Sequence, residues 1–188
     1  MTDLVDFHHR ALARLTDTIE GIGADDWQRP TACADWAVRD LVGHLTAEAH
    51  WAPHLLRGES LSQVGDRYDG DVLGEDPHGA WRAASDDERR AVAAPGALDG
   101  TVDTSMGELP ASVYLAQRLT DLAVHRWDLA RGLGVDGSIP DDIAEFLYEM
   151  WEPQADELAS TGIFAPRVEV PADASATDRV VALLGRAP

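Results

Sequence analysis

Apolar residues recur along this chain with the period of a helix. From Leu4 to Ile22 they fall at Leu4, Val5, Ala11, Leu12, Leu15, Ile19 and Ile22, with charged residues between them. Steps of three and four place such residues on one face of an amphipathic helix. Thr2 is the expected N-cap. His8 and His9 lie near the start of this helix and, as neighbours, point in different directions. They are expected at the surface or rim.

Gly21, Gly23 and Pro30 break the first pattern, and Asp26 to Asp35 reads as a loop. A second helix is predicted from about Ala37 to Leu56, capped by Asp35 and ended by Gly58. One side of it carries Leu41, His44, Leu45, Glu48, Trp51 and Leu55. His44 therefore sits inside an apolar stripe, where it needs a polar partner. Leu61 to Glu75 is rich in Gly and Asp. Its Asp66, Asp69, Gly70 and Asp71 lack the full acidic pattern of a calcium loop, so it reads as a connection. Asp76 and Pro77 have the cap-then-proline form of a helix start. That third helix continues through Trp81, Ala84, Glu88 and Val92.

Leu98 to Leu109 suits an irregular loop or a short hairpin. Pro110 then opens a helix reaching about Arg131, with Gly132 and Gly134 at its end. Val113, Leu115, Leu119, Leu122 and Leu129 form its apolar surface, and Tyr114, Arg118, Asp121, His125 and Asp128 form a polar stripe beside it. Ser138 and Pro140 begin another helix, disturbed by Pro153, with Gly162 ending its continuation. Pro166 to Pro171 has a short extended pattern, and Thr177 to Gly185 a closing helix. Four or five substantial helices with little or no strand predict an all-α bundle, since amphipathic stripes must be buried against one another. The 188 residues are expected to form a single domain, with about 165–188 as a short C-terminal extension packed on it.

Composition narrows the function classes. Hydrophobic residues make up 45% and charged residues 26%, as in globular proteins. Lys and Arg total 15 against 34 Asp and Glu, a net charge of -19. Such a surface repels phosphate backbones and anionic lipid heads, so neither nucleic acid nor membrane is an expected partner. One cysteine, Cys33, excludes an internal disulfide and a multi-cysteine zinc cluster. No stretch is long and apolar enough for a membrane span, and MTDLVDFHHR lacks the form of a signal peptide. A cytoplasmic protein acting on a small molecule is expected. The apolar stripes would also serve a homodimer.

The candidate chemistry lies in RLTDLAVHRWDL, Arg118 to Leu129. Asp121 and His125, four apart on a helix, share one face with Cβ atoms roughly 5–6 Å apart. With His44 from the second helix they make two imidazoles and a carboxylate, a ligand set open to zinc, nickel, iron or manganese. The plainer alternative is an Asp121–His125 ion pair with His44 as a satisfied core histidine. Asp128 is placed to orient the His125 imidazole or to pair with Arg118 or Arg131. Arg118 suits a substrate carboxylate or an ordinary salt bridge. Trp51 and Trp127 suit core packing or a pocket wall.

WQRPTACADWAVRDLVGHL followed by DLAVHRWDLARGLG resembles the DinB/YfiT-like metal-binding superfamily, and within it the actinobacterial branch of the mycothiol-dependent maleylpyruvate isomerase type. The resemblance covers about residues 4–185. It implies a four-helix bundle with one divalent metal. The ligands it implies are the histidine of D-L-V-x-H, here His44, and two residues spaced by four on a later helix, here Asp121 and His125. The isomerase-like branch has glutamate where this chain has Asp121, one methylene shorter. The C-terminal part is too short for the extra small domain of those isomerases.

On this basis the expected function is that of a divalent-metal-binding protein, zinc first, with nickel or iron as the other metals. Mycothiol is the expected cosubstrate, in transfer to, or isomerisation of, a small electrophilic substrate. Two alternatives stand beside it. One is a metal-binding protein without thiol chemistry, either a hydrolase or a stress-related binding module. The other is a metal-free helical interaction protein.

Overall fold

A computed structural model describes residues 2–33, 36–105, 107–162 and 164–188. The Thr2 side chain and Asp35, both expected as helix caps, lie outside the described residues. The chain divides into two compact units, Met1–Val135 and Asp136–Pro188.

The first unit is built on α1 (Thr2–Glu20), α2 (Val38–Leu56), the single turn α3 (Leu61–Val64), α4 (Pro77–Val92) and α5 (Ala111–Leu133). The four long helices close a ring: α1 packs on α4 and α5, and α2 packs on the same two. This is a four-helix bundle, as the periodic stripes predict. Leu12, Leu15, Ile19, Leu41, Leu45, Trp81, Leu115, Leu119 and Leu122 fill its centre and are essentially inaccessible to solvent. Each such side chain contributes roughly 1.5–3 kcal/mol by leaving water.

The helix limits follow local chemistry. The Asp76 carboxylate accepts from the Gly79 backbone N–H at 2.9 Å, with Pro77 in the first turn of α4. Pro110 precedes α5, and Gly134 ends it in the left-handed region (φ 75°). There a glycine avoids the Cβ clash that other residues would meet.

Leu98 to Leu109 resolves as a hairpin. β1 (Thr101–Thr104) pairs antiparallel with β2 (Gly107–Pro110), Val102 opposite Leu109. Val102 is buried with Ala52, Leu55, Ala111 and Tyr114, and Leu61 and Leu109 pack on that cluster. The hairpin thus covers the end of the α2–α5 seam.

The second unit has α6 (Asp141–Trp151), a 3-10 turn at Glu152–Gln154, α7 (Ala155–Thr161) and α8 (Ala176–Leu183). Pro153 lies in the 3-10 turn and Gly162 caps α7 at φ 81°. The extended stretch Pro166 to Pro171 joins no ladder among the described residues; Val168 N–H instead donates to the Ala182 carbonyl. No described helix is long and apolar enough to cross a membrane.

One expectation is overturned. His8 is not a surface residue but completely buried, while His9 is half-buried. Packing of α1 on α4 brings His8 Nε2 to 3.0 Å from Glu88 Oε1. A carboxylate on the neighbouring helix supplies the partner that burial demands.

Candidate metal centre

The helical period alone aligns Asp121 and His125 on α5; the α2–α5 packing adds His44. His44 Nε2 lies 3.3 Å from Asp121 Oδ1, and His125 Nε2 lies 3.2 Å from the same oxygen. One ligand atom from each of the three residues falls within 4.8 Å of the other two. Donors held about 2.0–2.2 Å from one ion at tetrahedral or octahedral angles stand roughly 3–3.5 Å apart. The two separations from Asp121 Oδ1 match that, so these three residues could hold a divalent ion. Asp121 is short, yet its Oδ1 reaches both imidazoles.

Neighbouring groups hold Asp121 and His125 in place. Arg118 Nη1 donates to Asp121 Oδ2 at 2.6 Å, which leaves Oδ1 for the histidines. On its other side His125 Nδ1 meets Asp128 Oδ2 at 2.8 Å, and Asp128 is fully buried. Of the two roles read for Asp128, the structure therefore places it on the imidazole. A carboxylate there keeps a proton on Nδ1 and turns Nε2 toward the Asp121 side.

The charges are strongly coupled. Burial opposes ionisation of Asp121, but hydrogen bonds from His125 and His44 and the charge of Arg118 hold it well below the usual carboxylate range. Burial also disfavours the His125 imidazolium, but Asp121 and Asp128 raise its pKa to about 9. Without a metal, His125 is thus a cation donating from both nitrogens. A metal on Nε2 would displace one of those protons.

Behind Asp121 a buried polar chain crosses the bundle. Arg118 Nε and Nη2 donate to Glu88 Oε1 and Oε2, both at 3.1 Å, and Glu88 meets His8. Arg118 is thus committed to Glu88 and Asp121 rather than open to a substrate. Glu88 and His8 did not emerge from sequence reasoning. The signal was present for Glu88, which falls on the stripe of Trp81, Ala84 and Val92.

Trp36 also went unread. Its ring lies 5.0 Å from that of His44 and 6.1 Å from that of His125, near-parallel to the latter at 29°. The loop before α2 sets its position. Thr31 Oγ1 donates to the Trp36 carbonyl at 2.9 Å, and Ala32 N–H donates to the Asp128 carbonyl at 3.3 Å. Gly132 permits this docking, since a Cβ there would come within 2.5 Å of the Pro30 carbonyl oxygen. Cys33 belongs to the same loop and can offer its sulfur within 4.8 Å of ligand atoms of His125 and Asp128.

One cleft adjoins the cluster, and another lies further along α2 and α5. The first, of about 790 Å³, is walled by Trp36, Arg39, His44, Ala47, Asp71 and Leu73. Arg39 in its wall is tied to Asp71 at 2.9 Å and to the Gly74 carbonyl at 2.9 Å. A second, of about 260 Å³, contains Glu48, Trp51 and Tyr114. Trp51 is therefore a pocket residue, whereas Trp127 is buried.

The model of the mycothiol maleylpyruvate isomerase N-terminal domain family matches residues 8–130. The chain belongs to that family. The match falls within the first unit and includes every residue of the cluster. Two uncharacterized proteins of Mycobacterium tuberculosis, from strains H37Rv and CDC 1551 / Oshkosh, are each 28% identical over 185 residues, covering 95% of this chain and 95% of theirs.

Among solved structures, the mycothiol-dependent maleylpyruvate isomerase matches with a TM-score of 0.60 and 17% identity, over 82% of this chain and 72% of that one. A histidine-to-alanine mutant of that isomerase matches with the same TM-score and identity, over 88% and 73%. At this identity the likeness is one of fold, and it agrees with the DinB-like bundle.

Proposed function

We propose that this chain is an enzyme that binds one divalent metal, zinc first, through His44, Asp121 and His125, and uses a low-molecular-weight thiol on a small electrophilic substrate by transfer or isomerisation. Mycothiol is the proposed thiol, on the strength of the family. The observation that carries the metal reading is one carboxylate oxygen, Asp121 Oδ1, shared by two imidazole nitrogens at 3.3 and 3.2 Å. The buried Asp128 behind His125 supports it, because metal-bound histidines regularly donate their second N–H to such a group.

A divalent ion held there supplies Lewis acidity, which makes a thiol more acidic and so a thiolate at neutral pH. The chain's own residues prepare the ground for that chemistry. Asp128 fixes the tautomer and orientation of His125. Arg118 holds Asp121 by Oδ2, so that Oδ1 points at the histidines. Trp36 covers the imidazoles on one side, limiting water there. The cleft of about 790 Å³ beside His44 has room for a small substrate and part of a thiol.

The test is elemental mass spectrometry of untagged protein beside a His44→Ala/His125→Ala variant. Near one equivalent of a divalent metal, lost in the variant, is expected. No metal after incubation with zinc, nickel and iron overturns the reading. Titration of cobalt-substituted protein with thiols then separates the two metal-dependent functions. An altered cobalt spectrum supports thiol chemistry, and an unchanged one leaves metal binding without it.

A further inference from the structure

The smaller cleft lies one helical turn along the seam from the metal centre. Glu48 is four residues after His44 on α2, and Gln117 is four before Asp121 on α5. Four residues of helix advance roughly 6 Å and return to the same face. The cleft is lined by Glu48, Trp51, Leu55, Leu61, Tyr114 and Gln117, with the β1–β2 hairpin at its edge. Its volume of about 260 Å³ is just below the range of roughly 300–1,000 Å³ for sites of drug-sized ligands, so it suits a compact molecule.

Two of its polar groups lack partners among the described residues. The Tyr114 hydroxyl is buried with no hydrogen bond, and the residue is only 6% exposed. A buried phenol normally finds a partner. Glu48 makes no hydrogen bond or ion pair with any described residue. It feels Arg118 electrostatically, but that guanidinium is already engaged by Glu88 and Asp121. No Lys, Arg or His lines the cleft among the described residues. A carboxylate entering it would face Glu48 with no cation in return, in a chain of net charge -19. Like charges brought together at short range are strongly disfavoured.

We propose that this pocket receives the acceptor substrate. It selects a compact, uncharged or cationic molecule whose polar group donates a hydrogen bond to Glu48 and accepts one from Tyr114. The molecule's apolar body packs on Trp51, Leu55 and Leu61, and carboxylates are turned away. The pocket's meaning as an acceptor site rests on the function proposed above, but its ligand preference does not.

Three size-matched probes test it: benzylamine, benzyl alcohol and benzoate. Each is titrated into the protein as purified and after chelation, with binding read from NMR shifts of the Trp51 indole and Gln117 amide. The amine is expected to bind tightest, and benzoate at least about tenfold weaker. Glu48→Gln, checked for an unchanged melting temperature, should remove most of that difference. Tyr114→Phe should weaken the alcohol several-fold.

Benzoate binding as tightly as the amine, a ranking unchanged by Glu48→Gln, or no shift with any probe would each overturn the proposal. The ranking is read with and without metal. A protein that holds no metal yet ranks the probes as expected therefore overturns the proposed function alone. A metal-loaded protein that fails the ranking overturns only the pocket.

Discussion

Replacing Arg118 with Met should strip the charge from the centre of the buried polar chain while keeping its bulk. Arg118 is 3% exposed and Glu88 is fully buried, so water cannot compensate for the lost guanidinium. Burial alone would raise the Glu88 pKa above its ordinary 4.5, yet Arg118 and His8 lower it to about 2. That interval corresponds to roughly 3 kcal/mol of folding free energy, supplied jointly by the two partners. Removing one member of a buried ion pair costs about 3–5 kcal/mol in general. Asp121 loses its Arg118 contact as well. A loss of roughly 3 kcal/mol or more is therefore expected at pH 7, or a fall of roughly 6–15 °C in melting temperature for a chain of this size.

The pH dependence makes this prediction specific. In the wild-type protein Glu88 is ionised down to about pH 2 when folded, but only to about 4.5 when unfolded. Its contribution is complete above pH 4.5 and is lost as the pH falls toward 2. In Arg118→Met the carboxyl protonates at higher pH, so the stability gap should narrow between pH 5 and pH 2.5. Urea unfolding followed by circular dichroism at pH 7, 4.5 and 3 measures it. Arg118→Met/Glu88→Leu should recover part of the loss, because no buried unpaired carboxylate remains on α4. A gap below about 1 kcal/mol at pH 7, or one that does not narrow in acid, refutes the reasoning.

Three further predictions concern the proposed metal centre and its support. The His125 pKa in the metal-free protein is raised from 6.5 to about 9. Its contribution, on the order of 3 kcal/mol, is thus full below pH 6.5 and lost as pH rises through 9. Chelated protein should lose melting temperature over that window while zinc-loaded protein does not, and parallel curves would sink the idea. Asp128→Asn should weaken metal binding roughly 10–100-fold, read by competition with a coloured chelator, and an unchanged affinity would remove the role assigned to Asp128. Gly132→Ala would gain up to about 1 kcal/mol in a free helix, but here the Pro30 carbonyl stands in the way, so a net loss of roughly 1–3 kcal/mol is expected. A stabilised variant would show that the loop is not docked as described.

The parts legible in the sequence are those written within one element. Each bundle helix shows its buried face as a 3.6-residue stripe, and Pro77, Pro110 and Gly134 mark limits through backbone chemistry that needs no neighbour. Asp121 and His125 were legible for the same reason, being one turn apart on α5. His44 stood out as a polar residue among apolar ones. What escaped depends on which helices touch. His8 and Glu88 lie 80 residues apart, and each alone reads as an ordinary helix residue. Only the packing of α1 on α4 makes them partners. Trp36 is set by a loop docking on Gly132, a contact that no local pattern encodes. Tyr114 looked like one more member of a polar stripe, and its missing partner is a property of the folded cleft.

The buried chain also explains how an aspartate would serve at a position where a longer side chain is expected. A free carboxylate would offer either oxygen, and rotation would move both relative to His44 and His125. Here Arg118 holds Oδ2 at 2.6 Å, and Arg118 is itself fixed by two contacts of 3.1 Å to Glu88. Glu88 is braced in turn by His8 at 3.0 Å from the neighbouring α1. The orientation of Asp121 Oδ1 is therefore set by three residues on three helices rather than by its own short stem. Such a chain stabilises only while every link is made, since each unpaired charge would be buried. The geometry at the proposed metal position and the packing of α1, α4 and α5 are consequently one problem, and a change at Glu88 on α4 reaches Asp121 through two charged contacts.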